Sequence, residues 1–493
     1  MNFLLIFVLI PVLMLLLLFM VKERKQVLTI MVAGSVALVV ASAYLTVSYL
    51  AQRSAGAADP MLFTSNWMWY KPLNIAFSLG VDGVSVAMIC LSAIIVMTGT
   101  FTSWKIEPLT REFFMWFCLL STGVFGFFIT TDMFTMFMFY EVALIPMYLL
   151  IGIWGSGKKE YSAMKLTLML MGASAILLVG ILGIYFSAGA TTMNVLELVN
   201  IYIPMESQYL FFVLSFVGFG VLGALFPFHT WSPDGHAAAP TAVSMLHAGV
   251  LMKLGGYGCF RVSIYLMPEA AKELAPIFLV LTAIGVVYGG LAAIHQRDLK
   301  YINAYSSVSH CNLVLFAILM LTQTAMTGAV LQMLSHGLMT ALFFALIGMI
   351  YGRTGTRMIT EMGGLMRVIP FLGVAFVIAG LASLGLPGLS GFAAEMTIFF
   401  GAFENADVFR RVLTVAAVSS IVVTAVYILR MVGKFLYGPM QNQKHASITD
   451  AVWFERLAVI VLIAGIVYIG SFPFGLSEML NDSLGNVIAA LQR

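Results

Sequence analysis

Apolar runs of about 20 residues recur from one end of the 493-residue chain to the other. Each is long enough to cross ~30 Å of hydrocarbon as an α-helix. Lipid offers a backbone no hydrogen-bond partner, so only helices and closed barrels can span it. Barrel strands read as short stretches of alternating polarity, and these runs do not alternate. The chain is 61% hydrophobic and only 10% charged, whereas soluble domains carry about 25% charged residues. The pattern therefore predicts an all-α polytopic membrane protein.

The runs place spans at roughly 3–21, 27–50, 79–103, 113–130, 133–154, 162–186, 208–229, 241–263, 274–294, 301–321, 325–351, 369–401, 409–436 and 456–475, about fourteen in all. The first is not a cleavable signal peptide, because its basic cluster (Lys22, Arg24, Lys25) follows the run instead of preceding it. With Met1 outside, the loops assigned to the cytoplasm carry about 17 Lys and Arg and the opposite loops and tail about 7. That bias predicts both termini outside. The net charge of +3 is thus a topology signal and gives no reason to invoke nucleic acid. Cys90, Cys118, Cys259 and Cys311 lie within spans without ligand spacing and read as small core hydrophobes. Short loops leave no room for a separate soluble domain.

Two stretches interrupt the pattern at membrane depth. "FPFHTWSPDGHAAAPT" (226–241) sets three prolines and polar groups between long spans, and "LASLGLPGLSGFAAEM" (381–396) sets three glycines, Pro387 and Glu395 inside one. Broken helices are tolerated only where protein or a water-filled cavity receives the freed backbone groups, and paired breaks point to repeated halves with an ion path between them. The breaks fall in spans 7 and 12, five apart. This predicts N-terminal helices 1–3 over 1–112, inverted five-helix repeats over 113–265 and 266–437, and a linker with helix 14 over 438–493.

Few ionisable groups stand deep among apolar neighbours inside the spans; those singled out are Glu141 in "FMFYEVALIPMYLL", His247, Lys253, His336 in "MLSHGLMTALFF", and Glu395, with His229 at the first break. Each charge near the bilayer centre costs about 2.5–3.5 kcal/mol on insertion scales, so several must face one another or water. Burial disfavours the charged form of carboxylate and ammonium alike, and such groups spread over several helices are the parts of a proton relay. Each also has a plainer role open to it. Glu141 could join helices by a hydrogen bond, Glu395 could cap a restarting helix, and the histidines could be satisfied core residues. Snorkelling is disfavoured for Lys253, which more than a turn of apolar residues flanks on either side. The scattered histidines predict no metal site. "GFGVLG" (218–223) matches a dinucleotide fingerprint but follows no strand and opens no soluble helix, so helix packing explains it better.

The stretches "FPFHTWSPDGHAAAPTAVSMLHAGVLMKLGGYG", "QRDLKYINAYSSVSH", "FYEVALIPMYLLIGIWG" and "LPGLSGFAAE" resemble the antiporter-like subunits of proton-pumping NADH:quinone oxidoreductase, respiratory complex I, from about residue 79 to 437. Within that group the chain is most similar to the M type, related to mitochondrial ND-four. It stops about 17 residues after its last predicted span, without room for the long lateral helix of the L type, and it carries Glu395 where L and N types typically have lysine.

The resemblance implies that Glu141, Lys253, His336 and Glu395 form the proton relay, with His247 and His229 as further members. Leu222 stands where the family usually has the lysine that partners the fifth-helix glutamate, and His247 could supply a replacement cation. It also implies a proton-translocating subunit that performs no bond chemistry itself. NAD, FMN, iron–sulfur clusters and quinone would be held by partner subunits. The partners would be L-type and N-type membrane-arm subunits and, through them, the peripheral redox arm. The setting would be the cell's inner (plasma) membrane, with both termini on the periplasmic side. A subunit of a multisubunit sodium/proton antiporter or of a hydrogenase-linked pump would share the fold.

Overall fold

A computed structural model describes residues 2–492. The apolar runs become α1 (Ile6–Met20), α2 (Arg24–Ser54), α3 (Gly83–Thr102), α4 (Thr110–Ile129), α5 (Met133–Trp154), α6 (Lys159–Ser187) and α7 (Met205–Leu222). The short α8 (Trp231–Ala238) follows, and then α9, a continuous helical run over 241–264. Beyond it lie α10 (Pro268–His295), α11 (Leu299–Leu319), α12 (Gln323–Thr354), α13 (Pro370–Ser383), α14 (Ser390–Phe403), α15 (Val408–Phe435), α16 (Trp453–Ser471) and α17 (Pro473–Gln492). Twelve helices among the described residues are long and apolar enough to cross a membrane. The broken pair α13–α14 and the run α9 bring the crossings to the fourteen expected.

Lipid exposure sorts the helices. In α11 and α12, 94% of the most apolar window is buried, against 28% in α1 and 33% in α2, α15 and α16. The enclosed pair can therefore carry polar side chains that a lipid-facing helix cannot. Ser306, Ser307, Ser309, His310 and Asn312 of α11 and Gln332, Ser335, His336 and Thr340 of α12 are all buried.

Both interrupted helices are broken as expected, and the chain satisfies the freed backbone from neighbouring helices. At the first break Asn312 of α11 donates from Nδ2 to the Ala224 carbonyl at 2.9 Å and accepts from the Phe226 N–H at 3.1 Å. The end of α8 is met by two cations: Lys300 Nζ donates to the Ala239 carbonyl at 2.6 Å and Arg357 Nη1 to the Ala237 carbonyl at 2.8 Å. Cations suit a helix C-terminus because its unpaired carbonyls carry partial negative charge. At the second break Gly385 and Gly388 take positive φ (+67° and +89°), a region glycine enters without steric cost.

Two elements lie outside the sequence expectations. Residues 62–81, expected to be a connection up to 78 and the start of the third span from 79, form an antiparallel hairpin of β1 (Leu62–Tyr70) and β2 (Ile75–Val81). Its aromatic residues Trp67, Trp69 and Tyr70 are exposed, so no clean alternation betrays it. The segment after helix 14 restarts at Pro473 as α17. Asn2 donates to Ser65 Oγ at 2.8 Å, Thr131 N–H to the Ser78 carbonyl at 2.9 Å, and Gly83 N–H to Ser483 Oγ at 2.8 Å. The hairpin, the α4–α5 turn and α17 thus gather at one end of the bundle.

Candidate functional site: a buried chain of titratable side chains

The site begins where α9 and α12 touch. A Cβ on Gly337 would sit 2.7 Å from the Gly249 carbonyl oxygen, so only glycine lets the two backbones approach this closely. Lys253 stands one turn beyond Gly249 on α9, and His336 immediately precedes Gly337 on α12. The Lys253 ammonium donates to His336 Nδ1 at 2.6 Å and also to the Ala248 carbonyl. Ala248 lies in a π-helical turn, His247–Leu251, that widens α9 locally. Lys253 is 2% exposed, and a small void beside it is lined by Gly223, Met252, Gly256, Cys311 and Met333.

With Nδ1 accepting, the neutral imidazole carries its proton on Nε2, which lies 3.2 Å from Ser307 Oγ; that hydroxyl donates to the Asn303 carbonyl at 3.0 Å. A second imidazole follows, His310 of α11, whose ring centre is 5.3 Å from that of His336. Gln332 donates to His310 Nδ1 at 3.0 Å, and Glu395 Oε1 of α14 lies 3.7 Å from the same nitrogen. A Cβ on Gly385 would meet Glu395 Oε2 at 2.8 Å, so the carboxylate packs on the second break itself. Ser335 of α12 bonds Ser390 at the start of α14 (2.8 Å), holding the restarted helix against the chain.

The structure thus gathers Lys253, His336 and Glu395, with His310 between the last two. The other anticipated residues lie elsewhere. His247 packs in a separate pocket, its ring 4.3 Å from His236 and 5.3 Å from Trp231, with neither ring nitrogen hydrogen-bonded within the protein. His236 Nε2 contacts Met252 Sδ at 3.3 Å. His229 stacks on Phe226 and meets the Tyr288 ring edge-on, with Nδ1 unpartnered. Glu141 is half-buried on α5 beside the Ser174 hydroxyl of α6, and its Oε1 has no protein partner. Leu222 is buried at the end of α7.

Several polar groups escaped the sequence reading. His236 and His310 were visible as two of only seven histidines, yet their helical register gave no sign that they neighbour His247 and His336. Lys165, near the start of α6, pairs with Asp234 at 2.7 Å, and Tyr301 donates to the same carboxylate at 3.1 Å. Arg261, near the end of the eighth predicted span and not singled out, is buried and paired with Asp82. Lys300, counted as a cytoplasmic loop residue, is buried against the first break. Among the described residues no three His, Cys, Asp or Glu side chains are placed to hold a metal ion. The cysteines are free, three buried and Cys90 half-buried, and Gly218 of "GFGVLG" packs against Leu177 and Ala173 of α6.

Residues 130–424 match the family described as NADH:quinone oxidoreductase/Mrp antiporter, TM. The chain is 37% identical over 374 residues to NAD(P)H-quinone oxidoreductase chain 4-2 of Synechocystis sp., a match covering 75% of this chain and 67% of the relative. It is 34% identical over 435 residues to a chain 4 protein of Thermosynechococcus vestitus, covering 87% and 82%. In fold it is similar to a chain of respiratory complex I from Thermus thermophilus, with TM-score 0.89, 24% identity and 99% of each chain covered. It is also similar to a chain of the Mrp complex from Dietzia sp., with TM-score 0.85, 18% identity and 99% of each chain covered.

Proposed function

We propose that this chain, which belongs to the transmembrane family shared by NADH:quinone oxidoreductase and Mrp antiporter subunits, is the chain-4-type (M-type) proton-translocating subunit of an NAD(P)H:quinone oxidoreductase. The observation that carries the reading is the buried series Lys253–His336–His310–Glu395, which runs from α9 through α12 and α11 to the second helix break. An ammonium and two imidazoles in series pass protons readily, whereas a hard cation such as sodium would need a run of oxygen ligands. That favours the proton over the sodium ion as cargo.

Glu141 is the far carboxylate of the relay. His247 and His229 belong to its first half, where bridging water would join groups too far apart for direct bonds. The domain division is two inverted five-helix units, 113–265 and 266–437, after helices 1–3 over 1–112 and before a linker and last helix over 438–493. Each unit contributes one interrupted helix. NAD, FMN, iron–sulfur clusters and quinone reside in partner subunits, and this chain is driven by redox chemistry elsewhere through neighbouring L-type and N-type subunits and the peripheral arm. It spans the cell's inner (plasma) membrane with both termini periplasmic, so the end bearing the hairpin faces outward.

The test is proton uptake by sealed vesicles containing the intact complex, energised with NAD(P)H. The Lys253→Ala complex should assemble yet acidify the lumen at no more than a tenth of the wild-type rate. Wild-type acidification by that variant would refute the assignment.

A further inference from the structure

The relay described above ends short of the hairpin end of the bundle, yet α9 continues toward that end with two more polar residues. Lys253 and Tyr257 lie four residues apart in the regular segment Met252–Gly258, hence on one face, about 6 Å apart along the axis. Arg261 lies four further on, in a second π-helical segment, Cys259–Ile264. Its guanidinium packs over the Tyr257 ring, 5.1 Å from the centroid, and forms an ion pair with Asp82. Asp82 caps α3, its Oδ1 accepting from the Ser85 N–H at 2.9 Å. The Ser85 hydroxyl in turn bonds the Tyr257 phenol at 2.8 Å. All four side chains are buried; Arg261 is 4% and Asp82 1% exposed.

A closed polar ring of this kind is expensive to bury. Taking two charges out of water carries a heavy desolvation penalty, and attraction between them often fails to exceed it. A well-packed apolar plug would hold α3 and α9 together as well. The ring also differs from a structural staple in its position: it fills the polar face of α9 between Lys253 and the end of the bundle covered by the hairpin and α17. Gly83, next to Asp82, is bonded to Ser483 of α17, so movement of either cover reaches the ion pair directly.

We propose that Asp82, Arg261, Tyr257 and Ser85 form an outward seal that controls proton access between Lys253 and the outer aqueous phase. With the ion pair made, as here, the outer phase is shut off from Lys253. Opening it lets Lys253 release a proton outward through water admitted between the parted side chains. No bond other than those to the proton changes in this step. The four act as positioning residues for the relay, and the idea rests on the proton-carrying reading above.

The experiment uses the intact complex in liposomes with a trapped pH indicator and no redox substrate. A potassium gradient with an ionophore sets a voltage, and passive proton entry is read. Asp82→Asn should raise proton conductance at least fivefold over wild type, while Asp82→Glu stays within twofold of it. Adding Lys253→Ala to Asp82→Asn should abolish the extra leak, because the leak passes through Lys253. An assembled Asp82→Asn complex as tight as wild type, or a leak unaffected by Lys253→Ala, overturns the proposal. Should Asp82→Asn fail to assemble, Tyr257→Phe, which deletes one hydroxyl, decides: raised conductance supports the seal and wild-type tightness removes it. Redox-driven acidification by Lys253→Ala alone, measured in the same vesicles, tests the proton-carrying reading separately.

Discussion

Lys253 of α9 and His336 of α12 meet Nζ to Nδ1 at 2.6 Å, at a helix contact that only Gly249 and Gly337 permit. An ammonium can only donate, so the imidazole accepts at Nδ1 and its opposite nitrogen faces Ser307. A proton leaving Lys253 enters His336 at Nδ1 while another leaves from Nε2, so the ring can relay without rotating.

If that hand-off is the central step, charge at position 253 is insufficient and a releasable proton is required. Arginine keeps the charge and the donors but is not deprotonated in proteins. Lys253→Arg should therefore lower NAD(P)H-driven acidification of vesicles at least tenfold. Pumping near the wild-type rate by the arginine variant would show that Lys253 acts as a fixed charge.

His310 joins His336 to Glu395. Asparagine at 310 could still bond Gln332 and Ser383 but cannot take up a proton. His310→Asn should assemble with normal thermal stability and pump at less than a fifth of the wild-type rate. Equal losses of stability and pumping would assign His310 to packing.

Glu141→Gln keeps shape and removes only the titrating proton. It should eliminate pumping while leaving assembly intact, with quinone reduction either uncoupled or lost along with it. Acidification at the wild-type rate in sealed vesicles would remove Glu141 from the relay.

Position 222 offers a test of compensation. Leu222 is buried at the end of α7, and His247, unpartnered beside His236, is the nearest substitute the sequence suggests for the missing lysine. His247→Ala should slow pumping less than Lys253→Ala does, and adding Leu222→Lys should restore it. If His247→Ala pumps normally and Leu222→Lys changes nothing, Glu141 works without a cation of that kind.

The glycine contact can be probed without touching a titratable group. Gly337→Ala forces a methyl against the Gly249 carbonyl, and overpacking of this sort costs about 1–3 kcal/mol. The variant should show a lowered unfolding temperature and reduced pumping together, because Lys253 and His336 are pushed apart. Gly172→Ala on α6, with nothing within 4 Å of the added methyl, should leave both unchanged.

Sequence alone determined the crossings and the two breaks, because lipid makes these local matters. A run of apolar residues must span, and a run of proline and glycine must stop spanning, whichever helices lie alongside. It also marked Lys253, His336 and Glu395, since an ionisable residue amid apolar neighbours is conspicuous from its neighbours alone. Tertiary structure decided which of these meet. His310 stood unremarked until α11 packed against α12, and so did Arg261, near the end of its span, until α3 brought Asp82 to it. Glu141 and His247 looked equally central in sequence, yet one stands half-buried on α5 and the other beside His236. Partner choice depends on how helices cross, which glycine contacts such as Gly249–Gly337 settle over separations of some ninety residues. No periodicity within one helix encodes that. The hairpin and α17 escaped for the converse reason: they lie at the end of the bundle, where the constraint imposed by lipid no longer applies and short aromatic or amphipathic stretches take structure from what they cover.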